Sequence, residues 1–251
     1  QFSTNKNEVL DLGGAEAIIT AGTNTSRPSE WITEVGGPIS AFYGYVEDKS
    51  NPIPFTEYDP FGTYDVESTD VAVVDINGDG LIDEDDRTVL GSPYPDFEWG
   101  FSSDFNFYNF DFNFAIQGSH GAERRVGDLG TIRASDFSNG EVNSSYTEAN
   151  FTAARLESSA HIQDASFVAL RNLSFGYSLP DDVIGKLNLD RVRLYVTGEN
   201  LIYVFANEYE GFNPEAAGTS HGDTNTPTTY GYQRGDGTIS KTISFGLNLD
   251  F

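Results

Sequence analysis

Aromatic and polar residues alternate one by one between residues 97 and 117, and this pattern restricts the fold more than any other feature of the chain. The apolar positions begin at Phe97 and resume at Phe110 after a two-residue break at 108–109. In a β-strand, successive side chains point to opposite faces of the sheet. The segment therefore predicts a hairpin with a short turn, one apolar face and one polar face.

The same alternation recurs along the chain, whereas helical periodicity is nearly absent, so we expect an all-β protein. Aromatic and β-branched residues carry the pattern, as strands require. Five more segments share the pattern, which gives seven candidate strands with the two of the hairpin: residues 2–9, 39–47, 167–179, 191–204 and 243–251. The pattern is weaker in residues 2–9 and 39–47.

Two architectures fit strands with one apolar and one polar face. In a β-sandwich the apolar face packs on a second sheet. In an outer-membrane barrel it faces lipid, and the polar face lines an aqueous lumen. The clearest strands run for about 10 to 14 residues, which exceeds the usual length in globular sheets and suffices for a tilted membrane crossing of about 9 to 11 residues. Strand length therefore favours the barrel.

The lengths of the connections favour the barrel independently. If the strands alternate in direction, three long connections lie on one side and two short ones on the other, as in outer-membrane barrels. The long connections are residues 48–96, 119–165 and 205–238, and the short ones are 108–109 and 180–189. Residues 11–38 break this rule, because they form a long connection on the short side, which indicates a misread strand.

Composition excludes several classes of protein. The 251 residues carry 14 Lys and Arg against 39 Asp and Glu, a net charge of −25, so the chain offers no basic surface and no nucleic-acid partner is expected. It contains no Cys, which rules out disulfides and thiolate zinc sites. No run approaches the roughly 20 apolar residues of a membrane helix. We find no G-x-S-x-G, P-loop, G-x-G-x-x-G or HExxH motif, so we expect no enzyme.

Several segments, in order along almost the whole chain, resemble the carboxy-terminal part of SusC/RagA-type TonB-dependent outer-membrane transporters. Each segment is modestly specific alone, and the ordered set is strong. They are FSTNKNEVLDLG (2–13), VGGPISAFYGYV (35–46), DINGDGLIDEDD and its continuation to the hairpin (75–121), SFVALRNLSFGYSLP (166–180), LYVTGENL (194–201), YEGFNPE (209–215) and TISFGLNLDF (242–251).

This resemblance implies an antiparallel transmembrane β-barrel segment, about seven strands of a larger, roughly 22-stranded plugged barrel with long extracellular loops. Residues 1–251 would be the C-terminal part of the barrel, with the plug domain and the N-terminal strands outside this sequence. The family imports oligosaccharides or peptides across the bacterial outer membrane. It works with a SusD-like surface lipoprotein that lids the barrel, and it draws energy from TonB.

The sharpest local motif is the acidic stretch at residues 75–86, which matches the spacing of a twelve-position calcium loop. Ca²⁺ takes six to eight oxygen ligands, and a glycine at position 6 lets the chain reverse around the ion. Gly80 holds that position. The predicted metal ligands are Asp75, Asn77, Asp79, the Leu81 carbonyl, Asp83 and Asp86. Asp86 replaces the usual Glu at position 12, and the alternative is a solvated acidic turn without a metal.

Two other readings remain open from the residues alone. A secreted, calcium-stabilised β-sandwich that binds glycan would use the same alternation, and a small autonomous barrel could serve as a surface anchor. Four aromatic residues lie where a barrel mouth could present them to sugar rings or where they could pack loops together: Tyr43, Tyr45, Tyr209 and Phe212.

Overall fold

The computed structural model describes residues 1–21, 29–47, 53–54, 70–71, 73–80, 84–126, 158–186, 189–216, 218–219, 228–233 and 238–251. These residues form sixteen strands, one α-helical turn, α1 (Asp181–Ile184), and 3₁₀ turns at Glu84–Asp86 and Ser159–His161. No helix in these ranges has the length and apolar character needed to cross a membrane.

The strands belong to one large sheet and three small ones. The large sheet, called the main sheet below, contains β1 (Phe2–Thr4), β8 (Phe97–Phe107), β9 (Phe110–His120), β12 (Phe167–Ser178), β13 (Arg191–Phe205) and β16 (Thr242–Asp250). The small sheets contain β2 (Ala17–Ala21), β3 (Ser29–Glu34), β4 (Ala41–Gly44), β5 (Ile53–Pro54), β6 (Asp70–Val71), β7 (Thr88–Gly91), β10 (Glu123–Val126), β11 (Ile162–Asp164), β14 (Gly218–Thr219) and β15 (Tyr230–Gln233).

The main sheet is antiparallel throughout, in the order β1-β8-β9-β12-β13-β16. Its register places the apolar positions of neighbouring strands opposite one another. Phe112 pairs with both Phe105 and Phe175, and Val196 pairs with Phe245. The alternation read from the sequence therefore produces one continuous apolar face, as predicted.

The described residues leave most of this apolar face uncovered. Phe107 is 70% exposed and Phe245 is 84% exposed, although both lie on regular strands. A β-sandwich would bury these rings against a second sheet. The exposure of most of this face agrees with a membrane-facing wall rather than with a sandwich core.

The connections separate the two ends of the main sheet. The turn end carries the two-residue turn at Tyr108, where φ is +51°, and the short connection that holds α1. The opposite end, called the loop end below, carries every long connection, including the small sheets. β1 and β16 form the two open edges, so these strands do not close a barrel by themselves.

The prediction that residues 39–47 contribute a barrel strand is wrong. β4 (Ala41–Gly44) pairs with β3 and β7 in a small sheet at the loop end. β1 is instead the direct neighbour of β8, so residues 5–96 form one long connection at the loop end. This pairing explains why the predicted strands put residues 11–38, a long connection, on the side of the short ones. It also reduces the main sheet from seven predicted strands to six.

The buried core of the described residues lies among the small sheets at the loop end. Trp31 and Phe42 pack with Tyr232, and Trp31 Nε1 donates a hydrogen bond to the carbonyl of Tyr230 at 2.9 Å. One pairing here departs from the antiparallel prediction, because β10 and β15 run parallel. The loop end is therefore a packed structure with its own core.

Candidate functional site on the polar face of the main sheet

The polar face carries an Arg-centred cluster near the loop end. A β-bulge between Leu170 and Asn172 adds one residue to β12, and that residue is Arg171. Bulges redirect side chains and often lie beside functional sites. Here Arg171 Nε donates to Oε1 of Gln117 on the neighbouring strand at 2.9 Å.

The same guanidinium ties the sheet to the connection that follows β13. Arg171 forms a two-pronged ion pair with Glu215, and its Nη1 lies 2.7 Å from Glu215 Oε2. The hydroxyl of Tyr203 donates to the same carboxylate oxygen at 2.8 Å. Burial raises the pKa of Glu215, but the hydrogen bonds from Arg171 and Tyr203, together with the charge of Arg171, outweigh burial, so the pKa lies below its ordinary value.

Aromatic rings continue from this cluster toward the loop end. Tyr203 contacts Phe167 and Phe205, with ring centroids 6.0 and 5.8 Å apart, and Phe205 contacts Tyr209 at 5.7 Å. The Arg171 guanidinium lies 5.4 Å from the centre of the Tyr203 ring. These rings lie on the polar face of the main sheet, so they form a distinct aromatic patch at the loop end.

A second ion pair lies on the polar face near the turn end. Arg193 Nε donates to Asp111 Oδ1 at 2.9 Å, across the intervening strand β12. Gly176 lies beneath the pair, and a Cβ at that position would contact both partners. The polar face therefore carries fixed charges at both ends and small polar side chains such as Asn113 and Thr197 between them.

The acidic loop folds sharply around Asp75. Its two carboxylate oxygens accept hydrogen bonds from the amides of Gly78, at 2.6 Å, and Gly80, at 2.8 Å. Both glycines have positive φ, +76° and +88°, which side-chain-bearing residues rarely adopt. Asn77 Oδ1 accepts from the amide of Asp79 at 2.9 Å. The reversal expected at Gly80 is therefore present.

Of the other predicted ligands, the structure describes one and leaves two outside the described residues. Asp86 is fully buried, and its Oδ1 accepts from the amide of Ile76 at 2.7 Å, which joins the two ends of the loop. Leu81 and Asp83 lie outside the described residues. Across the described part of the chain, no three Asp, Glu, His or Cys side chains are grouped closely enough to hold a metal ion.

The four aromatic candidates have different environments. Tyr45 is fully buried, so it cannot present its ring to a ligand. Tyr43 lies under Arg87, whose guanidinium carbon is 4.5 Å from the ring centre. Tyr209 donates a hydrogen bond to Gln233, and burial raises its pKa. Phe212 is 46% exposed at the loop end.

Sequence reasoning missed the Arg171 and Glu215 pair. The two residues are 44 positions apart, and only the fold brings them together. Arg171 interrupts the alternation of its strand, so a break in period within an otherwise regular strand was the available signal.

No family model matches the chain. TonB-dependent receptors P3 and P26 of Formosa agariphila are 32% and 30% identical to it over its whole length. TonB-dependent receptor SusC of Bacteroides thetaiotaomicron is 26% identical over 84% of the chain. The chain spans 26% of the length of each of the first two relatives, about a quarter, and 21% of the length of SusC.

Solved structures show the same fold. The RagAB peptide importer in its open-open state matches all of the chain with a TM-score of 0.65 at 19% identity, and the chain covers 26% of that structure. A second structure, of the RagAB peptide transporter, matches with a TM-score of 0.65 at 18% identity, again over 26% of its chain. At these identities the likeness concerns the fold.

The relatives are named receptors, and the similar structures are named an importer and a transporter. These names agree with the expectation that the protein is not an enzyme. Their class consists of β-barrels of the bacterial outer membrane, which accounts for the exposed apolar face and the polar face behind it. The chain therefore belongs to the TonB-dependent receptors of the outer membrane, the family that includes SusC.

Proposed function

We propose that this chain is the C-terminal portion of the barrel of an active-uptake transporter. The plug domain and the N-terminal strands would come from the rest of the polypeptide. The observation that carries the proposal is the main sheet itself, whose apolar face is exposed while its opposite face bears ion pairs and small polar residues. A wall with these two faces suits a membrane barrel around an aqueous path.

The transported nutrient would be an oligosaccharide or a peptide. The relatives are TonB-dependent receptors, including SusC, and one of the similar structures is named a peptide importer. Energy would reach the barrel from TonB through the part of the protein outside these residues. The alternative of a secreted, calcium-stabilised β-sandwich that binds glycan loses support, because it leaves the exposed apolar face without a partner sheet.

A SusD-like surface lipoprotein would cover the loop end. This end carries the small sheets, whose core around Trp31 and Phe42 gives it a defined shape. A rigid rim of this kind can hold a lid protein more precisely than unstructured loops can. Co-purification of the lipoprotein with the receptor from outer membranes tests this partner, and a receptor that is recovered alone under mild detergent contradicts it.

Uptake by intact cells tests the transport function. Cells with and without the receptor gene are given fluorescently labelled oligosaccharides and labelled peptides, each in the presence and absence of TonB. We expect loss of the receptor and loss of TonB to abolish the uptake of the same nutrient. Uptake of every nutrient at the normal rate without the receptor would contradict the proposal.

We further propose that residues 75–86 hold a structural Ca²⁺. The ligands would be Asp75, Asn77, Asp79, the Leu81 carbonyl, Asp83 and Asp86. The tight reversal at Gly78 and Gly80 supports this assignment, because it places Asp75, Asn77 and Asp79 on one short loop. An extracellular site of this kind needs a dissociation constant of only about 10⁻⁴ to 10⁻³ M.

Calorimetry tests the calcium site. Ca²⁺ is titrated into the purified receptor and into a double variant, Asp75→Ala with Asp79→Ala. Heat of binding from the first protein and none from the second is the expected result. Asp104→Ala, a carboxylate on the polar face of β8 away from the loop, serves as the control and should leave the titration unchanged. Identical flat titrations for all three proteins would refute the site.

A further inference from the structure

A hollow lies on the polar face of the main sheet, near the loop end, where β1, β8 and β9 run side by side. Its volume is about 470 Å³, within the range of about 300 to 1,000 Å³ that ligand pockets occupy. Among the residues that line it, we call the small ones its floor, namely Gly100, Ser102 and Ala115, and the longer polar ones its rim, namely Glu98, Gln117 and Arg171. The register puts the residues of β8 and β9 among them on the polar face, and Arg171 reaches that face through its hydrogen bond to Gln117.

Gly100 leaves space in the hollow because it has no side chain, although its backbone conformation does not require glycine. Its φ is not positive, and a Cβ built there would meet nothing nearer than the Ile116 carbonyl oxygen at 3.8 Å. A glycine inside a strand weakens the strand, and one accepted reason for its presence is the close approach of a ligand. Gly176 and Gly246 differ, because side chains already lie over them.

The chemistry of the rim selects the kind of ligand. The Gln117 carbonyl oxygen already accepts from Arg171, which leaves the amide NH₂ of Gln117 as a donor. The charge of Arg171 is matched by Glu215, so this guanidinium is already paired and is not a free partner for an anionic ligand. Glu98 is exposed and offers carboxylate oxygens as acceptors. The rim therefore offers both a hydrogen-bond donor, the Gln117 amide, and acceptors, the Glu98 carboxylate oxygens.

The sheet keeps its apolar side chains away from this hollow. Trp99, Phe101 and Ile116 border it through their backbones, but their register places their side chains on the opposite, apolar face. A ligand in the hollow therefore meets serine hydroxyls, an amide and a carboxylate over a bare backbone floor. Sugar hydroxyls, each a donor and an acceptor, match such a lining better than apolar peptide side chains, which need apolar pockets.

We propose that this hollow is a binding subsite for a neutral, hydroxyl-rich saccharide on the wall of the barrel. The proposal rests on the transport function proposed above, and it narrows the nutrient to a neutral oligosaccharide. A segment of the same polypeptide seated in the hollow, or a peptide ligand, would each be revealed by the experiment below.

The test uses the full-length receptor, purified in detergent. Its binding of four probes, maltohexaose, laminarihexaose, xylohexaose and mannohexaose, is measured by calorimetry alongside a size-matched tryptone peptide fraction. Two variants alter the hollow: Gly100→Leu fills its floor and Gln117→Ala removes a donor. Ser244→Leu makes a comparable change on the polar face of β16, outside the hollow. Heat-modifiable migration on gels confirms that each variant is folded.

We expect at least one hexasaccharide to bind. Gln117→Ala should weaken that binding by about tenfold, as loss of a positioned hydrogen bond does, and Gly100→Leu should weaken it by at least as much because its side chain fills the hollow. Ser244→Leu should leave it unchanged. Three results overturn the proposal: binding of the peptides alone, no binding of any hexasaccharide because the hollow is filled from within the protein, or equal binding by Gly100→Leu. TonB-dependent uptake by the wild-type receptor, measured in parallel, separates these failures from failure of the transport function itself.

Discussion

Arg193 and Asp111 form an ion pair over Gly176, although a whole strand separates the two residues in the sheet. Arg193 Nε lies 2.9 Å from Asp111 Oδ1, and a Cβ at position 176 would contact both side chains. The glycine therefore provides the space in which the two charges meet. The polar face depends on such bare backbone positions for the arrangement of its charged groups.

This relationship predicts the effect of filling the space. Gly176→Val should separate the ion pair and lower the free energy of unfolding of the receptor by about 1 to 2 kcal/mol. Gly100→Val is the matched control, because its strand position is similar and its Cβ has open space. It should be neutral or stabilising, since valine favours strands. Urea titration of the folded, heat-modifiable form measures both, and equal losses of stability would contradict the account.

The pair of Arg171 and Glu215 should anchor the connection that follows β13. We expect Arg171→Ala to release residues 206–216 from the sheet, because Glu215 loses both hydrogen bonds and the ion pair that the guanidinium supplies. Chymotrypsin should then cleave after Tyr209 and Phe212 at least several times faster. Arg191→Ala, at the turn end, is the control. Unchanged cleavage of the Arg171 variant would show that other contacts hold the connection.

The same anchor should weaken in acid. The pKa of Glu215 is lowered in the folded protein, so its stabilising effect is complete above the ordinary glutamate value of 4.5 and is lost as the pH falls below it, through the lowered pKa. Cleavage after Tyr209, measured with an acid-tolerant protease, should accelerate over that range in the wild type. Glu215→Gln should already be fast at neutral pH and nearly independent of pH. A wild-type rate that rises with increasing pH would contradict this sign.

The two faces of β16 should respond differently to a new charge. Leu247 lies on the apolar face and is 53% exposed, whereas Asn248 follows it on the polar face. Leu247→Lys should cost about 2 to 4 kcal/mol at the bilayer midplane, and Asn248→Lys should cost little. The fraction of folded receptor recovered from outer membranes measures the difference. Equal recovery of the two variants would argue against lipid on the apolar face.

Five long or well-patterned strands of the main sheet could be predicted from alternation alone, because their apolar periods run for ten residues or so, as in β8 and β9. Residues 39–47 alternate as well, yet they form a four-residue strand in a packed sheet at the loop end. Alternation reports that one face of a strand is buried or faces lipid, but it does not report which sheet the strand joins.

The candidate site was less predictable than the fold. The acidic loop was visible because its ligand spacing is local, and its turn glycines lie where the motif requires them. The hollow and its rim combine residues from three strands, and the orientation of Arg171 depends on a bulge. Such features depend on how strands pair and on where a β-bulge occurs, and a short stretch of a single sequence does not determine either.

Cysteine labelling tests the central claim most directly, namely that one face of the main sheet meets lipid and the other meets water. The chain contains no native cysteine, so single substitutions can be introduced on neighbouring positions, with any cysteine elsewhere in the receptor replaced. In intact outer membranes a charged maleimide should label Asn113→Cys and Thr197→Cys but spare Phe112→Cys and Val196→Cys. Labelling of both faces alike, as expected of a sheet in water, or the reverse pattern would contradict the account.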